Sequence, residues 1–336
     1  MRALVTGGAG FIGTHLSERL LGEGHQVLSV DDLSTGDPAN IAELTDIPGY
    51  EFVKGSVLDA ALIDSLASRV DTVFHLAAAV GVHLILDQPL EALRTNIHGT
   101  EVVLDAAHRH GTRILVASTS ELYGKNTAPT LAEDADRIVG SPLTTRWSYA
   151  EAKALDETLA YLYWRERGVP AVITRLFNVA GPRQSGRYGM VIPRLVDQAL
   201  RDEPLTVFGD GRQTRCFCHV RDAVAGLAAL VEHPEAYGRV FNIGRPEEVT
   251  IGQLAERIIV LSGSASQIRH VPYHEAYGDG FEDMRRRVPD TSRARELVGF
   301  EPQLGLDEII ESVIADRRAT STEFAPAHRE EFGLVR

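Results

Sequence analysis

The first thirty-two residues constrain the fold of this chain more than any other stretch. Ala3 to Val5 form a short apolar run typical of a buried strand, and a cluster of glycines follows. Residues 14–21 are amphipathic, and a second apolar run, Val27 to Val30, leads to Asp31. This order predicts a strand, a glycine turn, a helix and a second strand, which is how a parallel α/β sheet begins.

The glycine turn has the spacing that holds a dinucleotide. Gly7 allows a tight turn, Gly10 lets the backbone approach a pyrophosphate, and Gly13 lets the helix pack closely on the strand. The N–H groups at the start of the helix face the phosphates. Asp31 follows about 20 residues later, where its carboxylate accepts hydrogen bonds from an adenosine ribose.

The residues around Asp31 favour NAD over NADP. A carboxylate repels a 2′-phosphate, and no Arg or Lys lies between Asp31 and Lys54 to bind one. The predicted NAD site extends through the polar turn after Asp31 to the ends of the next two strands. Apart from Tyr149 and Lys153, treated below, it consists of Gly7, Gly10, Phe11, Ile12, Gly13, Asp31, Asp32, Ser34, Thr35, Gly36, Ser56, Val57, Leu76, Ala77 and Ala78.

Composition excludes several classes of partner. The net charge of −13 argues against nucleic acid, and no apolar run is long enough to span a membrane. Because the first strand begins at Ala3, no room is left for a signal peptide, and we expect a cytoplasmic protein. Cys216 and Cys218 lie beside His219 but lack a second pair of ligands, so we expect buried thiols and no metal.

Alternating strands and helices continue to about residue 180. They predict a Rossmann-like, doubly wound parallel sheet for a NAD-binding domain at 1–180. The further strands are 51–53, 72–76, 113–117 and 171–176, and the further helices are 59–69, 89–110 and 149–167.

Beyond residue 180 the segments become shorter and less regular. This change predicts a smaller substrate-binding α/β lobe at 181–320 and a polar, frayed tail at 321–336. We expect Val240 to Ile243 to return to the large sheet. The lobe itself is predicted to contain a strand pair around the turn 209–211 and helices at 191–202, 220–232, 251–262 and 305–317.

Tyr149 and Lys153 are the predicted catalytic pair. They lie one turn apart on a predicted helix and therefore on one face. An ammonium near a phenol stabilises the phenolate, so we expect the pKa of Tyr149 to fall from about 10 toward neutrality. Tyr149 then serves as a general base, and Thr119, at the end of a strand, shares the proton path.

Taken together, these motifs resemble the extended short-chain dehydrogenase/reductase family, which contains NAD-dependent nucleotide-sugar epimerases, dehydratases and decarboxylases. The resemblance spans nearly the whole chain in order and spacing. It rests on TGGAGFIG (6–13), FHLAA (74–78), TNIHGT (95–100), STSELYG (118–124), YAEAK (149–153), RLFNVAGPR (175–183) and GDGRQTRCF (209–217).

The resemblance implies roles for individual residues. Thr119 and Tyr149 contact the C4 hydroxyl of the sugar, and Lys153 holds the nicotinamide ribose. The nucleotide diphosphate is held by Asn178 and Arg215, and Phe208 lies by the base. The resemblance also implies a homodimer, in which helices at about 92–109 and 149–167 form a four-helix bundle with those of a second copy.

Within the family, Ser120 and Glu121 are most similar to the UDP-glucuronic acid decarboxylases. The sugar 4,6-dehydratases carry an Asp at the position of Ser120, and simple 4-epimerases usually lack the Glu. Arg146-Trp147 before the Tyr, and Arg287 near the expected uronate, add to this likeness. Alternatives for 285–287 are a diphosphate clamp or a solvated basic stretch.

Two departures keep a nucleotide-sugar 4-epimerase as the alternative. Ser56 stands where many relatives carry an Asp, and residues 79–88 lack a Tyr that decarboxylases often place beside the uronate. A third possibility is a non-catalytic protein that binds NAD to sense redox state.

For the decarboxylase, the resemblance implies that oxidation of UDP-glucuronic acid at C4 makes the C5 carboxylate labile. Loss of CO2 then gives UDP-4-keto-pentose or UDP-xylose. Ser120, Glu121 and Arg287 are expected to orient the uronate.

Overall fold

The computed structural model describes residues 1–80, 89–186, 189–277 and 284–320, with Thr145 described by its backbone alone. The polar tail predicted at 321–336 and most of the stretch 79–88 lie outside the described residues. The strands are β1 (Arg2–Thr6), β2 (Gln26–Asp31), β3 (Tyr50–Lys54), β4 (Thr72–His75), β5 (Arg113–Thr119), β6 (Ala171–Leu176), β7 (Val179–Ala180), β8 (Leu205–Phe208), β9 (Thr214–Cys216), β10 (Cys218–His219), β11 (Val240–Ile243), β12 (Glu248–Thr250) and β13 (Ile268–Val271).

The helices lie between these strands, and short 3-10 turns at 120–123, 145–147 and 234–236 supplement them. In the described ranges, none is both long and apolar enough to cross a bilayer. They are α1 (Phe11–Gly22), α2 (Pro38–Ile41), α3 (Ala60–Ala67), α4 (Pro89–His110), α5 (Ser148–Arg167), α6 (Val191–Leu200), α7 (Val220–Glu232), α8 (Ile251–Ser262), α9 (Tyr273–Tyr277), α10 (Ser292–Val298) and α11 (Leu306–Thr320).

Seven of the described strands form one parallel sheet in the order β3-β2-β1-β4-β5-β6-β11. The order reverses between β1 and β4, which pair so that Thr6 lies opposite His75. Ligands of such sheets bind in the crevice at this reversal, beyond the carboxyl ends of the strands. The predicted doubly wound sheet is confirmed, as is the return of Val240–Ile243 to it.

Helices cover both faces of the sheet because its strands are apolar on both sides. Val5 and Phe74 belong to a core that includes Leu227 of α7 on one face. Their neighbours Leu4 and Val73 belong to a core that includes Leu104 of α4 on the other. Successive strand residues point to opposite faces, so each strand contributes to both cores.

A further core lies beyond residue 180 and joins α6, β8, α8 and α11. Leu195, Val207, Leu254 and Ile310 are fully buried in it. A division of the chain near residue 180 remains our proposal, and this separate core supports it.

The prediction of a strand pair around the turn 209–211 is wrong. Strand β8 pairs in parallel with β13, and β9 pairs antiparallel with β12, so β8 and β9 do not pair with each other. Gly209 and Gly211 both have a φ of +73°. The Gly209 N–H donates to Val271, and the Gly211 carbonyl accepts from Gly252, so the turn is bonded to neighbouring elements.

The two cysteines are buried free thiols, as expected. Burial raises the pKa of Cys216 to about 12 and raises that of Cys218 as well. Both thiols are therefore protonated at neutral pH and behave as small apolar side chains.

A buried ion pair joins β6 to α5. Arg175 Nε and Nη2 donate to the two carboxylate oxygens of Glu157, at 2.8 and 2.7 Å. Ser118 donates to the same carboxylate at 2.6 Å, and Arg175 Nη1 donates to the Tyr123 hydroxyl at 2.9 Å. The pair fixes α5, which carries Tyr149 and Lys153, against the sheet.

Removing one charge of this pair should destabilise the protein strongly. Glu157→Gln leaves the Arg175 guanidinium buried without a counterion, and we expect a loss of about 3–5 kcal/mol in the free energy of unfolding, measured by urea denaturation. The control is Glu51→Gln, which breaks the exposed Arg69–Glu51 pair and should hardly move the midpoint. Equal effects of the two substitutions would contradict the assignment.

Candidate active site

The glycine turn after β1 packs too closely for any side chain. A Cβ on Gly13 would lie 2.2 Å from the Gly7 carbonyl oxygen, and one on Gly7 would lie 2.9 Å from the Ala77 nitrogen. Gly7 also has a φ of +70°. Gly10 precedes α1 without a side-chain cap, and the first turn of α1 lines a cavity. The turn therefore fits a pyrophosphate group, as NAD requires.

Asp31 lines this cavity at the end where the sequence predicts the adenosine. Its carboxylate accepts hydrogen bonds from the Ala9 and Leu33 N–H groups, at 3.0 and 2.8 Å. Burial raises its pKa, and these two hydrogen bonds oppose that rise. Asp32 and Ser34 lie on the adjoining wall. The structure describes all of residues 31–40, and none of them is basic, so the charge of this segment disfavours a 2′-phosphate.

One cavity of about 1430 Å³ runs from the glycine turn to the second core. The predicted NAD-binding, substrate-binding and catalytic residues line it, with one exception. Ser56 is not part of its wall, because its hydroxyl oxygen accepts a hydrogen bond from the Leu58 N–H in the turn before α3. The structure thus brings together residues that lie up to 280 positions apart in the chain.

Tyr149 and Lys153 both face this cavity from the first two turns of α5. The expected lowering of the Tyr149 pKa is wrong for the protein without ligands. Burial raises the pKa of Tyr149, and the negative charges of Glu121 and Asp156 raise it further. The ammonium of Lys153 lies 3.1 Å from the carboxylate of Asp156, which offsets its charge.

A carboxylate held by two guanidinium groups lies beside this pair. Thr119 ends β5, and its hydroxyl accepts from the Glu121 N–H at 3.1 Å, so that the chain turns toward the cavity. Glu121 Oε1 is 2.5 Å from Arg287 Nη1, and Oε2 is 2.6 Å from Arg146 Nη2. Burial opposes ionisation, but Arg287 and then Arg146 hold the pKa of Glu121 at about 2.

Arg287 also links the uronate and diphosphate parts of the predicted site. Its guanidinium donates to Ser120 Oγ at 3.3 Å and to Asn178 Oδ1 at 3.0 Å. Asn178 has a φ of 39°, and its amide donates to the Cys216 carbonyl at 2.8 Å. The alternative of a solvated basic stretch is wrong for Arg287, which is only 7% exposed.

The other predicted substrate residues lie toward the second core. Arg215 donates to the carbonyls of Thr214 and Met284, both at 2.8 Å, and Phe208 lies under the Arg194 guanidinium at 4.4 Å from the ring centre. These contacts orient a cation and an aromatic ring on the same wall.

Four arginines of the cavity wall were missed as site residues by sequence reasoning: Arg146, Arg183, Arg194 and Arg317. Arg183, with a φ of 65°, donates its backbone N–H to Asp316 at 3.0 Å and its side chain to Glu18 at 2.6 Å and to the Asn40 carbonyl at 3.2 Å. The motifs RWSYAEAK and GPR, which contain Arg146 and Arg183, were signals for two of them. Nothing in the sequence marks Arg194.

Known proteins resemble this chain over almost its full length. It is 41% identical to a UDP-N-acetyl-α-D-glucosaminuronate decarboxylase of Bacillus cytotoxicus, over 93% of this chain and 96% of the relative. It is 36% identical to UDP-glucuronic acid decarboxylase 1 of Arabidopsis thaliana, over 95% of this chain and 70% of the relative.

Solved structures agree with this likeness. The UDP-glucuronic acid 4-epimerase of Bacillus cereus, in complex with UDP-glucuronic acid and NAD, superposes with a TM-score of 0.85 at 30% identity, covering 95% of this chain and 99% of the other. Residues 3–244 match the NAD-dependent epimerase/dehydratase family. With its doubly wound sheet, its glycine turn and its Tyr–Lys pair, the chain belongs to the NAD-dependent epimerase/dehydratase family.

Proposed function

We propose that this enzyme catalyses the NAD-dependent decarboxylation of UDP-glucuronic acid. The observation that carries the proposal is Glu121 between the guanidinium groups of Arg146 and Arg287, next to Thr119 and Tyr149. Two guanidinium groups and one carboxylate leave a net positive charge where a uronate would lie. A relative named as a UDP-N-acetyl-α-D-glucosaminuronate decarboxylase, at 41% identity, and one named as a UDP-glucuronic acid decarboxylase, at 36%, support decarboxylation of a UDP-linked uronate.

The reaction begins at the C4 hydroxyl of the sugar. When bound, NAD supplies the acceptor for the hydride that leaves C4. Tyr149, as its phenolate, removes the hydroxyl proton, and the Thr119 hydroxyl orients the oxygen. Lys153 lies on the same face of α5, and its positive charge stabilises the phenolate.

Oxidation at C4 makes the carboxylate at C5 labile. The sugar is then a β-keto acid, and the electrons of the breaking C5–carboxylate bond pass into the ketone as CO2 leaves. A proton must then be added at C5. The product is UDP-4-keto-pentose if the ketone is released with the hydride left on the cofactor. It is UDP-xylose if that hydride returns to C4 and the C4 oxygen takes up a proton.

Glu121 serves in this scheme as an anion. Since its pKa is held at about 2, it carries no proton to donate at neutral pH. Its role is to hold Arg146 and Arg287 in position for the uronate. We therefore assign the protonation of C5 to water or to Tyr149, which has gained a proton in the first step.

The alternative is a 4-epimerase, which shares the C4 oxidation and returns the hydride to the opposite face. The structural likeness to the Bacillus cereus epimerase supports the epimerase reading, whereas the decarboxylase relatives are more similar in sequence. A non-catalytic NAD sensor is disfavoured, because Tyr149 and Lys153 both line the cavity. The relative from Bacillus cytotoxicus adds UDP-N-acetylglucosaminuronic acid as a second substrate to assay.

The mass of the product tests the proposal. Incubated with NAD and UDP-glucuronic acid, the wild-type enzyme should release CO2, and the product should have lost one carbon. Arg287→Ala should abolish CO2 release, and Arg287→Lys should restore little of it, because a guanidinium binds a carboxylate bidentately. A product of unchanged mass with an inverted C4 centre would establish the epimerase instead.

The neighbouring Arg286 provides a matched control. Arg286 is exposed and pairs with Glu248, 2.5 Å away, on the outer side of the same segment. Arg286→Ala removes the same charge and should leave CO2 release close to wild type. An equal loss in both variants would refute a specific role of Arg287.

Tyr149→Phe tests the general base. It removes the phenol oxygen with little loss of packing, so kcat should fall by roughly 10²–10⁴-fold while NAD still binds. Turnover is measured by CO2 release, and NAD affinity is measured by calorimetry. If turnover persists and only the NAD affinity falls, another group is the base.

We propose that the enzyme is a homodimer in which α4 and α5 form a four-helix bundle with those of a second copy. Helices α4 and α5 pack along each other, and their outer surfaces expose Leu90, Leu155 and Tyr161, which are 60%, 42% and 39% accessible. A cytoplasmic location likewise remains our proposal from the sequence.

Light scattering tests the dimer. The wild type should have twice the 36.7 kDa mass of one chain at micromolar concentration, and Leu155→Glu should shift it toward the monomer because a charge is buried in the bundle. Val260→Glu is the control, since Val260 is 66% exposed on α8. A monomeric wild type contradicts the bundle.

A further inference from the structure

Asp156 is a buried carboxylate that takes no part in the proposed reaction steps. It lies on α5 one turn after Lys153 and is fully buried, with an exposed fraction of 0%. Within the described residues, neither of its oxygens accepts a well-aligned hydrogen bond, although the Lys153 ammonium and the Thr100 hydroxyl lie beside the carboxylate. Buried charges without such partners are costly, so a compensating interaction must hold this one in the fold.

The compensating charge is the ammonium of Lys153. Nζ lies 3.1 Å from Asp156 Oδ2, and Lys153 is itself only 2% exposed. Burial raises the pKa of Asp156, and Lys153 opposes that rise, followed by the Thr100 hydroxyl. The two side chains form an ion pair at the inner end of the active-site cavity, which Lys153 lines and Asp156 does not.

A chain of polar groups extends from this pair to the cofactor side of the sheet. His75 Nε2 lies 3.1 Å from the Thr100 hydroxyl, and His75 Nδ1 lies 2.9 Å from the Thr6 hydroxyl. The Thr6 hydroxyl also accepts from the Ala77 N–H at 3.1 Å. Burial and the nearby Lys153 lower the pKa of His75 to about 3, so that its ring is neutral. The described groups that continue from Thr100 toward Thr6 are therefore uncharged.

Other charged groups around Tyr149 and Asp156 are already paired with one another. Glu157, the next residue on α5, binds Arg175 of β6, and Glu121 lies between Arg146 and Arg287. The groups that act on the Tyr149 phenol are Glu121 and Asp156, both of which disfavour the phenolate. The groups that act on Asp156 are Lys153, Thr100 and Glu157.

We propose that Asp156 is a positioning residue, whose carboxylate holds the Lys153 ammonium in place on the face of α5 that also carries Tyr149. The inference rests on the proposed function of Tyr149 and Lys153. It adds to that function a carboxylate that touches neither substrate nor cofactor and acts through Lys153.

The sign of the effect on Tyr149 follows from the charge. A negative group disfavours the phenolate of Tyr149, so the Asp156 carboxylate helps to raise the pKa of Tyr149. Removing this charge should lower the pKa of Tyr149. The acid limb of the rate profile, where Tyr149 loses its proton, should then move to lower pH.

The first experiment is the pH profile of kcat/KM for Asp156→Asn, with NAD and UDP-glucuronic acid and with turnover followed as CO2 release. The acid limb should move to lower pH by about 1 unit. A variant with a lower kcat and an unchanged acid limb would show that Asp156 is only a packing residue and would overturn the proposal. Asp156→Ser, which leaves room for a water, carries the same prediction.

The control removes a carboxylate elsewhere on the same helix. Glu166 lies at the far end of α5, and its side chain is 61% exposed. Glu166→Gln changes the net charge by the same amount and should leave the acid limb in place. If Glu166→Gln moved the pH profile as far as Asp156→Asn does, the shift would come from the overall charge, and the proposal would be wrong.

A second experiment needs no substrate and separates this inference from the proposed function. Urea unfolding is compared for Asp156→Asn in the wild type and in the Lys153→Met background. If the carboxylate holds the ammonium, its removal should destabilise the wild type and have much less effect without the ammonium. Equal costs in both backgrounds, or a double variant that fails to fold, would overturn the ion pair. A wild type that releases no CO2 from any UDP-linked uronate would refute the proposed function alone.

Discussion

The close approach of the first glycine turn to the end of β4 is the constraint on which the rest of this structure depends. A side chain at Gly7 would collide with the Ala77 backbone, and one at Gly13 would collide with Gly7. The turn lies at the reversal of the strand order, so its compactness opens the crevice beyond the strands rather than filling it. The cavity, the adenosine carboxylate and the entry of α1 all follow from this local geometry.

At the other end of the cavity, charge rather than shape organises the site. Tyr149 lies among two carboxylates and three cations, each held by a partner: Glu121 by Arg146 and Arg287, and Asp156 by Lys153. Such pairing keeps the charges ionised despite burial, because each compensates the desolvation of the other. Burial and the negative charges of Glu121 and Asp156 consequently raise the pKa of Tyr149 above that of free tyrosine.

Much of the fold was predictable because it depends on local patterns. The apolar runs predicted the sheet strands to within a few residues, and Gly7, Gly10, Gly13 and Asp31, singled out by their spacing, line one cavity. The pairing of β8 and β9 was mispredicted, because their partners β13 and β12 lie far along the chain and no turn residue reveals them. Asp156 and Arg194 escaped notice for a related reason: their importance comes from side chains that only the tertiary fold brings near.

Arg183 ties the two halves of the ligand cavity together. Its side chain contacts Glu18 of α1 and the carbonyl of Asn40, both on the NAD side, while its backbone N–H contacts Asp316 of α11 in the second core. A hinge motion that opened the cavity at this point would have to break an ion pair and two hydrogen bonds at once. The walls around the two ligands are thus mechanically coupled, and a disturbance of one ligand's pocket is transmitted directly to the pocket of the other.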